Sequence, residues 1–240
     1  MEDTRAVRPA RQIVRIGHRG AAGHAPENTL AAIRKGISLG ADFVELDVRR
    51  TRDRRLVVMH DASVDRTTDG TGPVSEMDWD ELRALDAGNG ERVPDVAAAL
   101  AEASGHAGVM LEVKETGIGP DLCRAVRASG FAGPVIYASF LHAEILEIRR
   151  IDSLARTMAL MECVPVSAAS FARDAEATAV GLAVECATAG FVAALHEAGL
   201  EVFVYTVNEP RLIRSAIDLG VDGVISDYPE RVPKMRSPDR

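Results

Sequence analysis

The chain of 240 residues has 28 Lys and Arg against 36 Asp and Glu, a formal net charge of -8. This balance argues against nucleic-acid binding, which needs a clustered basic surface. Apolar residues make up 47% of the chain and charged residues 27%, values typical of a globular protein with a sizeable core. An eightfold barrel of alternating strands and helices commonly occupies this length as one domain.

Two features of the sequence indicate the compartment. The stretch from Met1 to Arg15 mixes charges of both signs and contains no apolar run, so it is neither a secretory signal nor an anchor. We therefore expect a cytoplasmic protein without stable membrane insertion. The three cysteines, Cys123, Cys163 and Cys186, lie far apart among small apolar residues. They are expected to be buried, reduced thiols rather than disulfides or catalytic groups.

Eight apolar segments with strand character alternate with amphipathic segments along the chain. This alternation predicts parallel strands joined by helical crossovers, and eight repeats predict a (β/α)8 barrel. The predicted strands are residues 13–17, 43–48, 109–113, 135–138, 155–161, 180–184, 201–206 and 223–226. The predicted helices are residues 28–39, 96–103, 121–128, 143–150, 168–175, 187–198 and 210–219.

One segment interrupts the alternation after the second strand. Residues 56–60 are predicted to form an extra short strand, and residues 61–92 are rich in Asp, Thr and Gly with one short helix at 78–85. We expect this segment to be an insertion on the barrel. The predicted domain organisation is a single unit over residues 1–240, with a barrel core at 13–229.

Three acidic residues stand out on predicted strands, because the reactive side chains of such barrels project from the C-terminal strand ends. Glu45 and Asp47 are two apart on the second strand and share a face, and Glu112 lies on the third. A structural ion pair would explain any one of them, since a buried carboxylate needs a partner. Three on neighbouring strands favour a bound cation. Oxygen ligands suit Mg²⁺ or Ca²⁺ more than zinc.

Two histidines, His18 and His60, lie at the ends of strand-like segments. A pair of histidines beside one substrate can divide the roles of proton acceptor and proton donor. Arg19 and Lys114 would place positive charge beside the cation, as binding of a phosphate oxygen requires. The alternative for Lys114 is a structural pair with one of the carboxylates.

Several groups of residues form longer motifs, and their order along the chain is distinctive. They are His18–Gly20, Ala25–Thr29, Gly40–Asp42, Glu45–Val48, Thr51, His60–Asp61, Arg66–Thr68, Gly70, Gly72, Glu112–Lys114, Thr206–Asn208, Gly220–Gly223 and Asp227. From about Ile13 to Pro229 the chain closely resembles the glycerophosphodiester phosphodiesterase family. Combined motifs of this kind are far more specific than a single short pattern.

The resemblance implies a TIM barrel that hydrolyses glycerophosphodiesters to sn-glycerol 3-phosphate and an alcohol. It implies one divalent cation, Mg²⁺ or Ca²⁺, held at the positions of Glu45, Asp47 and Glu112. By the same motif positions, His18 would be the general base and His60 the general acid.

Substrate-binding residues are also implied by the resemblance: Arg19, Glu27, Lys114, Phe140 and Tyr205. The family often has Trp at the position of Tyr205, and this aromatic group near the substrate mouth bears on the preferred alcohol. The implied partner is a small-molecule glycerophosphodiester, and a homo-oligomer is compatible with the sequence.

Two alternatives stay open at this stage. The same site would serve a lysophospholipase D-type phosphodiesterase acting on lysophospholipids, although no docking helix rich in Lys and Trp is evident. A catalytically silent barrel that binds a phosphodiester or a metal as a sensor is the other. Retention of both histidines and all three carboxylates disfavours the second alternative.

Overall fold

The computed structural model describes residues 12–234. Most of the stretch from Met1 to Arg15, which is predicted to be neither a signal nor an anchor, lies outside the described residues. None of the helices in residues 12–234 combines the length and the apolar character that crossing a bilayer requires.

Nine strands are described in residues 12–234, and eight of them form a closed parallel barrel. They are β1 (Val14–Gly17), β2 (Phe43–Arg50), β3 (Leu56–Val58), β4 (Gly108–Val113), β5 (Val135–Ser139), β6 (Arg156–Met161), β7 (Ala179–Ala183), β8 (Glu201–Tyr205) and β9 (Gly223–Ser226). Pairing of β1 with both β2 and β9 closes the barrel, and β3 lies outside it, antiparallel to β2. The predicted (β/α)8 TIM barrel is confirmed, and each predicted barrel strand overlaps an observed one.

Helices follow the strands around the outside of the barrel. They are α1 (Leu30–Ser38), α2 (Trp79–Leu82), α3 (Val96–Ala103), α4 (Gly119–Ser129), α5 (His142–Ile151), α6 (Ser170–Asp174), α7 (Ala189–Glu197) and α8 (Pro210–Asp218). The first helix begins two residues later than predicted because Thr29 is its N-cap, accepting a hydrogen bond from the Ala32 N–H. Asn28 adopts a left-handed conformation with φ 59° and so cannot belong to the helix.

The insertion after β2 has a small core of its own. Strand β3 pairs with the end of β2, a 3₁₀ turn covers Val74–Glu76, and α2 is a single turn, shorter than the helix predicted at 78–85. Its N-terminus has a capping box formed by Asp78 and Glu81. The buried side chains beneath are Val57, Met59, Val64, Val74, Leu82, Ala87 and Val93. The Met59 N–H donates to the Asp47 carbonyl at 2.9 Å, which brings this segment to the end of β2.

Apolar side chains fill the barrel interior, including Ile16, Met110, Met158, Phe203 and Ile225. The barrel is therefore a packed core without a channel, so a substrate can reach polar groups only at its ends. The polar residues singled out from the sequence lie at the C-terminal end of the strands, which we call the rim.

The cysteine prediction is only partly correct. All three thiols are free, and Cys123 is buried in α4. Cys163 is exposed and Cys186 half-buried, because both lie in segments that follow β6 and β7 rather than on the core face of an element.

Candidate active site

The strand register brings the three acidic residues together at the rim. Asp47 on β2 and Glu112 on β4 are direct neighbours across the sheet, and Glu45 lies two residues before Asp47 on the same face. One carboxylate oxygen from each residue lies within 4.8 Å of the others. Glu45 and Asp47 are 2% and 1% exposed, so two of the three carboxylates are withdrawn from water.

Burial and mutual repulsion both disfavour ionisation of this cluster. Burial, then the charges of Asp47 and Glu112, hold the pKa of Glu45 well above its ordinary value. The pKa of Glu112 is raised by burial and then by Asp47, against the opposing charge of Lys114. The cluster is therefore electrostatically strained in the absence of a cation.

Two cations and one amide partly neutralise the cluster. The Lys114 ammonium lies 2.6 Å from Glu112 Oε1 and 3.4 Å from Asp47 Oδ1. Burial works to lower the pKa of Lys114, but the charges of Asp47 and Glu112 outweigh it and raise that pKa. The guanidinium of Arg19 lies with Nε 3.5 Å from Asp47 Oδ2, and the backbone N–H of the same residue donates to Glu45 Oε2 at 2.7 Å. The Asn28 side-chain amide donates to Asp47 Oδ2 at 2.8 Å.

One carboxylate oxygen of the cluster is a hydrogen-bond acceptor without a partner among the described residues. Glu45 Oε1 is buried and has no hydrogen-bond partner among the described residues. The formal charges of the three carboxylates also exceed those of Lys114 and Arg19. An unpaired buried oxygen inside a group of oxygen ligands with excess negative charge is the environment that a divalent cation such as Mg²⁺ or Ca²⁺ requires. The residues present therefore fit such an ion.

His18 is fixed by a carboxylate from the other end of the chain. It directly follows β1, and its Nδ1 lies 2.6 Å from Oδ1 of Asp227, which directly follows β9. The other oxygen of Asp227 accepts from the Asn208 amide at 2.6 Å. Burial opposes ionisation of Asp227, yet the hydrogen bond with His18 and its charge lower the pKa of that carboxyl. With Nδ1–H bound to Asp227, Nε2 of His18 is left for proton transfer.

His60 has a comparable partner. Its Nδ1 lies 2.6 Å from Oδ1 of the next residue, Asp61. Burial lowers the pKa of His60, and the hydrogen bond to Asp61 only partly offsets this effect. The structure therefore gives the site two histidines, each with a carboxylate at Nδ1.

The remaining predicted residues occupy two different places. Glu27 lies behind Arg19, whose Nη1 donates to Glu27 Oε1 at 2.6 Å. Phe140 follows β5 and Tyr205 ends β8, and their rings meet edge to face with centroids 5.9 Å apart. The Tyr205 hydroxyl donates to the Met161 carbonyl at 3.1 Å, so it is already engaged within the protein.

Residues without an assigned role in the sequence analysis complete the site. Asp227, Asn208, Asp61 and Arg66 belong to the recognised motifs, but only the structure shows which groups they contact. A usable signal existed for Asp227. It follows β9 as His18 follows β1, and these two strands are paired neighbours.

Known proteins resemble this chain in sequence and in fold. A sequence model of the glycerophosphoryl diester phosphodiesterase family matches residues 18–231. A glycerophosphodiester phosphodiesterase from Caldanaerobacter subterraneus subsp. tengcongensis is 34% identical over 229 residues, which cover 90% of this chain and 94% of that protein. The predictions of family and of enzyme class are confirmed.

Two solved structures agree. A phosphodiesterase from Oleispira antarctica, in complex with the product sn-glycerol-3-phosphate, has a TM-score of 0.86 and 26% identity, with 93% of this chain and 95% of that chain covered. A glycerophosphodiester phosphodiesterase from Agrobacterium tumefaciens has a TM-score of 0.79 and 31% identity, with coverage of 92% and 98%. The chain therefore belongs to the glycerophosphoryl diester phosphodiesterase family.

Proposed function

We propose that this protein hydrolyses glycerophosphodiesters to sn-glycerol 3-phosphate and an alcohol in a reaction that depends on a divalent cation. The observation that carries the proposal is the grouping of two carboxylate-bound histidines with three clustered carboxylates at one rim. The sn-glycerol-3-phosphate bound to the Oleispira antarctica relative supports the choice of product.

His18 and His60 divide the proton transfers in this proposal. His18 acts as general base through Nε2, because Asp227 holds Nδ1–H and stabilises the imidazolium that forms. His60 acts as general acid and protonates the leaving alcohol. Each of these steps typically contributes about 10² to 10⁴ in rate.

The other predicted residues bind and orient the substrate. Lys114 and Arg19 attract the phosphate oxygens, and Glu27 fixes the guanidinium of Arg19. Phe140 and Tyr205 line the mouth and contact the organic groups of the substrate. Glu45, Asp47 and Glu112 would hold the cation, Mg²⁺ or Ca²⁺, which would supply positive charge that offsets the negative charge of the transition state.

The remaining predictions complete the proposal. Residues 13–229 act as one barrel domain, and the insertion at about 61–92 contributes to the site without forming a domain. A cytoplasmic location, a role in glycerol and lipid metabolism, the absence of nucleic-acid partners and the oligomeric state stay predictions of the sequence.

The test is release of glycerol 3-phosphate from glycerophosphocholine and glycerophosphoethanolamine, with Mg²⁺ or Ca²⁺ added and then removed by a chelator. Release that stops with the chelator and returns with one of the two ions is the expected result. Absence of release, with cation binding still measurable, would contradict the proposal. Lysophospholipids assayed in parallel would then separate a lysophospholipase D-type enzyme from a silent, sensor-type barrel.

A further inference from the structure

Arg66, in the insertion, binds two carboxylates from separate parts of the chain. Its Nε and Nη2 donate to Asp61 at 2.7 and 3.1 Å. Its Nη1 and Nη2 donate to Glu27 at 2.8 and 2.7 Å. Both pairs have the two-point geometry that a planar guanidinium makes with a carboxylate. Four hydrogen bonds thus fix a side chain that is 49% exposed.

Both carboxylates also form hydrogen bonds with residues of the proposed site. Asp61 Oδ1 lies 2.6 Å from His60 Nδ1, and Glu27 Oε1 accepts from Arg19 Nη1 at 2.6 Å. Arg66 therefore acts on His60 through Asp61 and is itself anchored by Glu27. The insertion is connected to the rim by this route.

Arg66 reinforces the ionised state that the Asp61 carboxyl already adopts near neutral pH. The hydrogen bond from Arg66 is the largest effect on the Asp61 carboxyl, and it holds the pKa of that group far below the ordinary value. An ionised carboxylate can only accept, so the proton of the His60–Asp61 pair lies on Nδ1 of the histidine. The Nε2 atom of His60 is then the one that faces proton transfer.

Removal of Arg66 would leave two like charges close together. Asp61 and Glu27 both lie within 3.1 Å of the same guanidinium and approach each other only because it stands between them. Without it the carboxylates repel, and Asp61 can move more easily than Glu27 because Glu27 is also bonded to Arg19. Since Asp61 is bonded to His60, the imidazole loses its fixed orientation.

We propose that Arg66 is a positioning residue that holds Asp61, and through it His60, in the geometry for protonating the leaving alcohol. The inference rests on the proposed function. It predicts a specific defect: loss of Arg66 slows cleavage of esters whose alcohol must be protonated and spares esters whose alcohol departs as a stable anion.

Arg52 offers a matched control in the same region. It is 55% exposed, bonds both oxygens of Asp78 at 2.9 and 2.7 Å, and lies 3.3 Å from a second carboxylate, that of Glu81. The chemistry of its contacts and their exposure are close to those of Arg66. Its two carboxylates belong to the N-terminal cap of α2 and are not bonded to His60 or Arg19.

The experiment compares glycerophosphocholine with the p-nitrophenyl ester of glycerol 3-phosphate, whose leaving group needs no proton. For R66A we expect kcat to fall about 10- to 100-fold on the choline ester, with little change on the nitrophenyl ester. This is the usual cost of losing a group that orients a functional side chain without touching the substrate. H60A should show the same pattern with a larger loss. R66K, which keeps the charge but not the two-point pairing, should be intermediate, and R52A should match the wild type on both esters.

Two outcomes would overturn the inference. Equal losses of R66A on both esters would identify a purely structural role, and an unchanged kcat on both would show that Arg66 has no role in catalysis. If thermal unfolding shows that R66A does not fold, the kcat values of R66K on the two esters are compared instead. An inactive wild type on both esters would instead refute the proposed function, which separates the two failures.

Discussion

The two halves of the rim are built differently. The charged half follows β1, β2, β4 and β9, and its ionisable groups are held in pairs, as in the contacts His18–Asp227 and Lys114–Glu112. The apolar half follows β5, β6 and β7 and includes Tyr205 at the end of β8. Its large exposed side chains include Phe140, Val164 and Val166. The ionisable side chains of the charged half are held by hydrogen bonds, whereas the large side chains of the apolar half are exposed.

This contrast indicates a division of labour. Transition-state charge is stabilised best by groups that need no rearrangement, and the charged half supplies them already oriented. The apolar half makes few directional bonds, so substitutions there should alter which substrate fits rather than whether the reaction occurs. Substitutions in the two halves test whether their contributions are independent.

The largest effect is expected from loss of a proton carrier in the charged half. His18→Ala and His60→Ala should each lower kcat by about 10² to 10⁴, since general acid and base groups typically contribute this much. Cation affinity, measured by calorimetry, should change little because neither histidine belongs to the carboxylate cluster. His24→Ala is the control, as His24 is exposed and contacts only Glu230 among the described carboxylates, at 3.0 Å. Near-normal activity of either site variant would remove that histidine from the mechanism.

A smaller but clear loss is expected for Asp227→Asn. One oxygen becomes an NH₂ group, which meets a donor whether it faces His18 Nδ1 or the Asn208 amide. One of the two hydrogen bonds that hold Nδ1 of His18 as a donor is therefore lost. We expect kcat to fall about 10²-fold with little change in KM.

The control for this prediction lies at the other end of the same strand. Asp222, directly before β9, pairs with His196 at 2.8 Å. Asp222→Asn should reduce thermal stability but leave kcat unchanged. Equal kcat losses for both variants would show that the Asp227 effect is one of folding and not of proton transfer.

In contrast to Asp222→Asn, Glu45→Gln is expected to raise the thermal stability of the metal-free protein. The folded chain binds the Glu45 proton more tightly than the unfolded chain, so the metal-free protein loses stability as pH rises above the ordinary value of 4.5 and through the raised pKa. The variant removes this loss and should unfold at a higher temperature in chelator near neutral pH, while binding cations more weakly.

Thermal unfolding across pH, with and without Mg²⁺ or Ca²⁺, measures both consequences. Glu197→Gln on the exposed surface of α7 serves as control. A metal-free Glu45→Gln protein that is less stable than the wild type at every pH would contradict the assignment of strain to the carboxylate cluster.

The smallest effect is expected in the apolar half. Phe140→Ala should raise KM roughly 2- to 10-fold with kcat nearly unchanged, the size of one aromatic contact. Leu154→Ala is the matched control, because Leu154 is 89% exposed but lies before β6, at the opposite end of the barrel. A large kcat loss for Phe140→Ala would show that the two halves are not independent.

The barrel could be predicted from the sequence because its strands are near-continuous apolar segments and its helices have regular apolar spacing. The carboxylate cluster could be placed because a two-residue spacing on a strand fixes the face. The contacts of Arg66 could not, since they join loops whose paths the strand pattern does not fix. Barrel closure, which places β9 beside β1, could have brought Asp227 close to His18, but it does not specify the hydrogen bond between them. Exposure of Cys163 was mispredicted for a related reason: apolar neighbours do not bury a residue that lies in a rim loop.

The His18–Asp227 pair joins residues separated by 209 positions, nearly the full length of the described chain. It can form only after β9 has docked against β1, the pairing that closes the barrel between the two ends of the described chain. A chain in which β9 has not docked would carry every carboxylate of the cluster and still lack the carboxylate partner of His18. In the proposed reaction, activity would therefore require closure of the barrel as well as the carboxylate cluster.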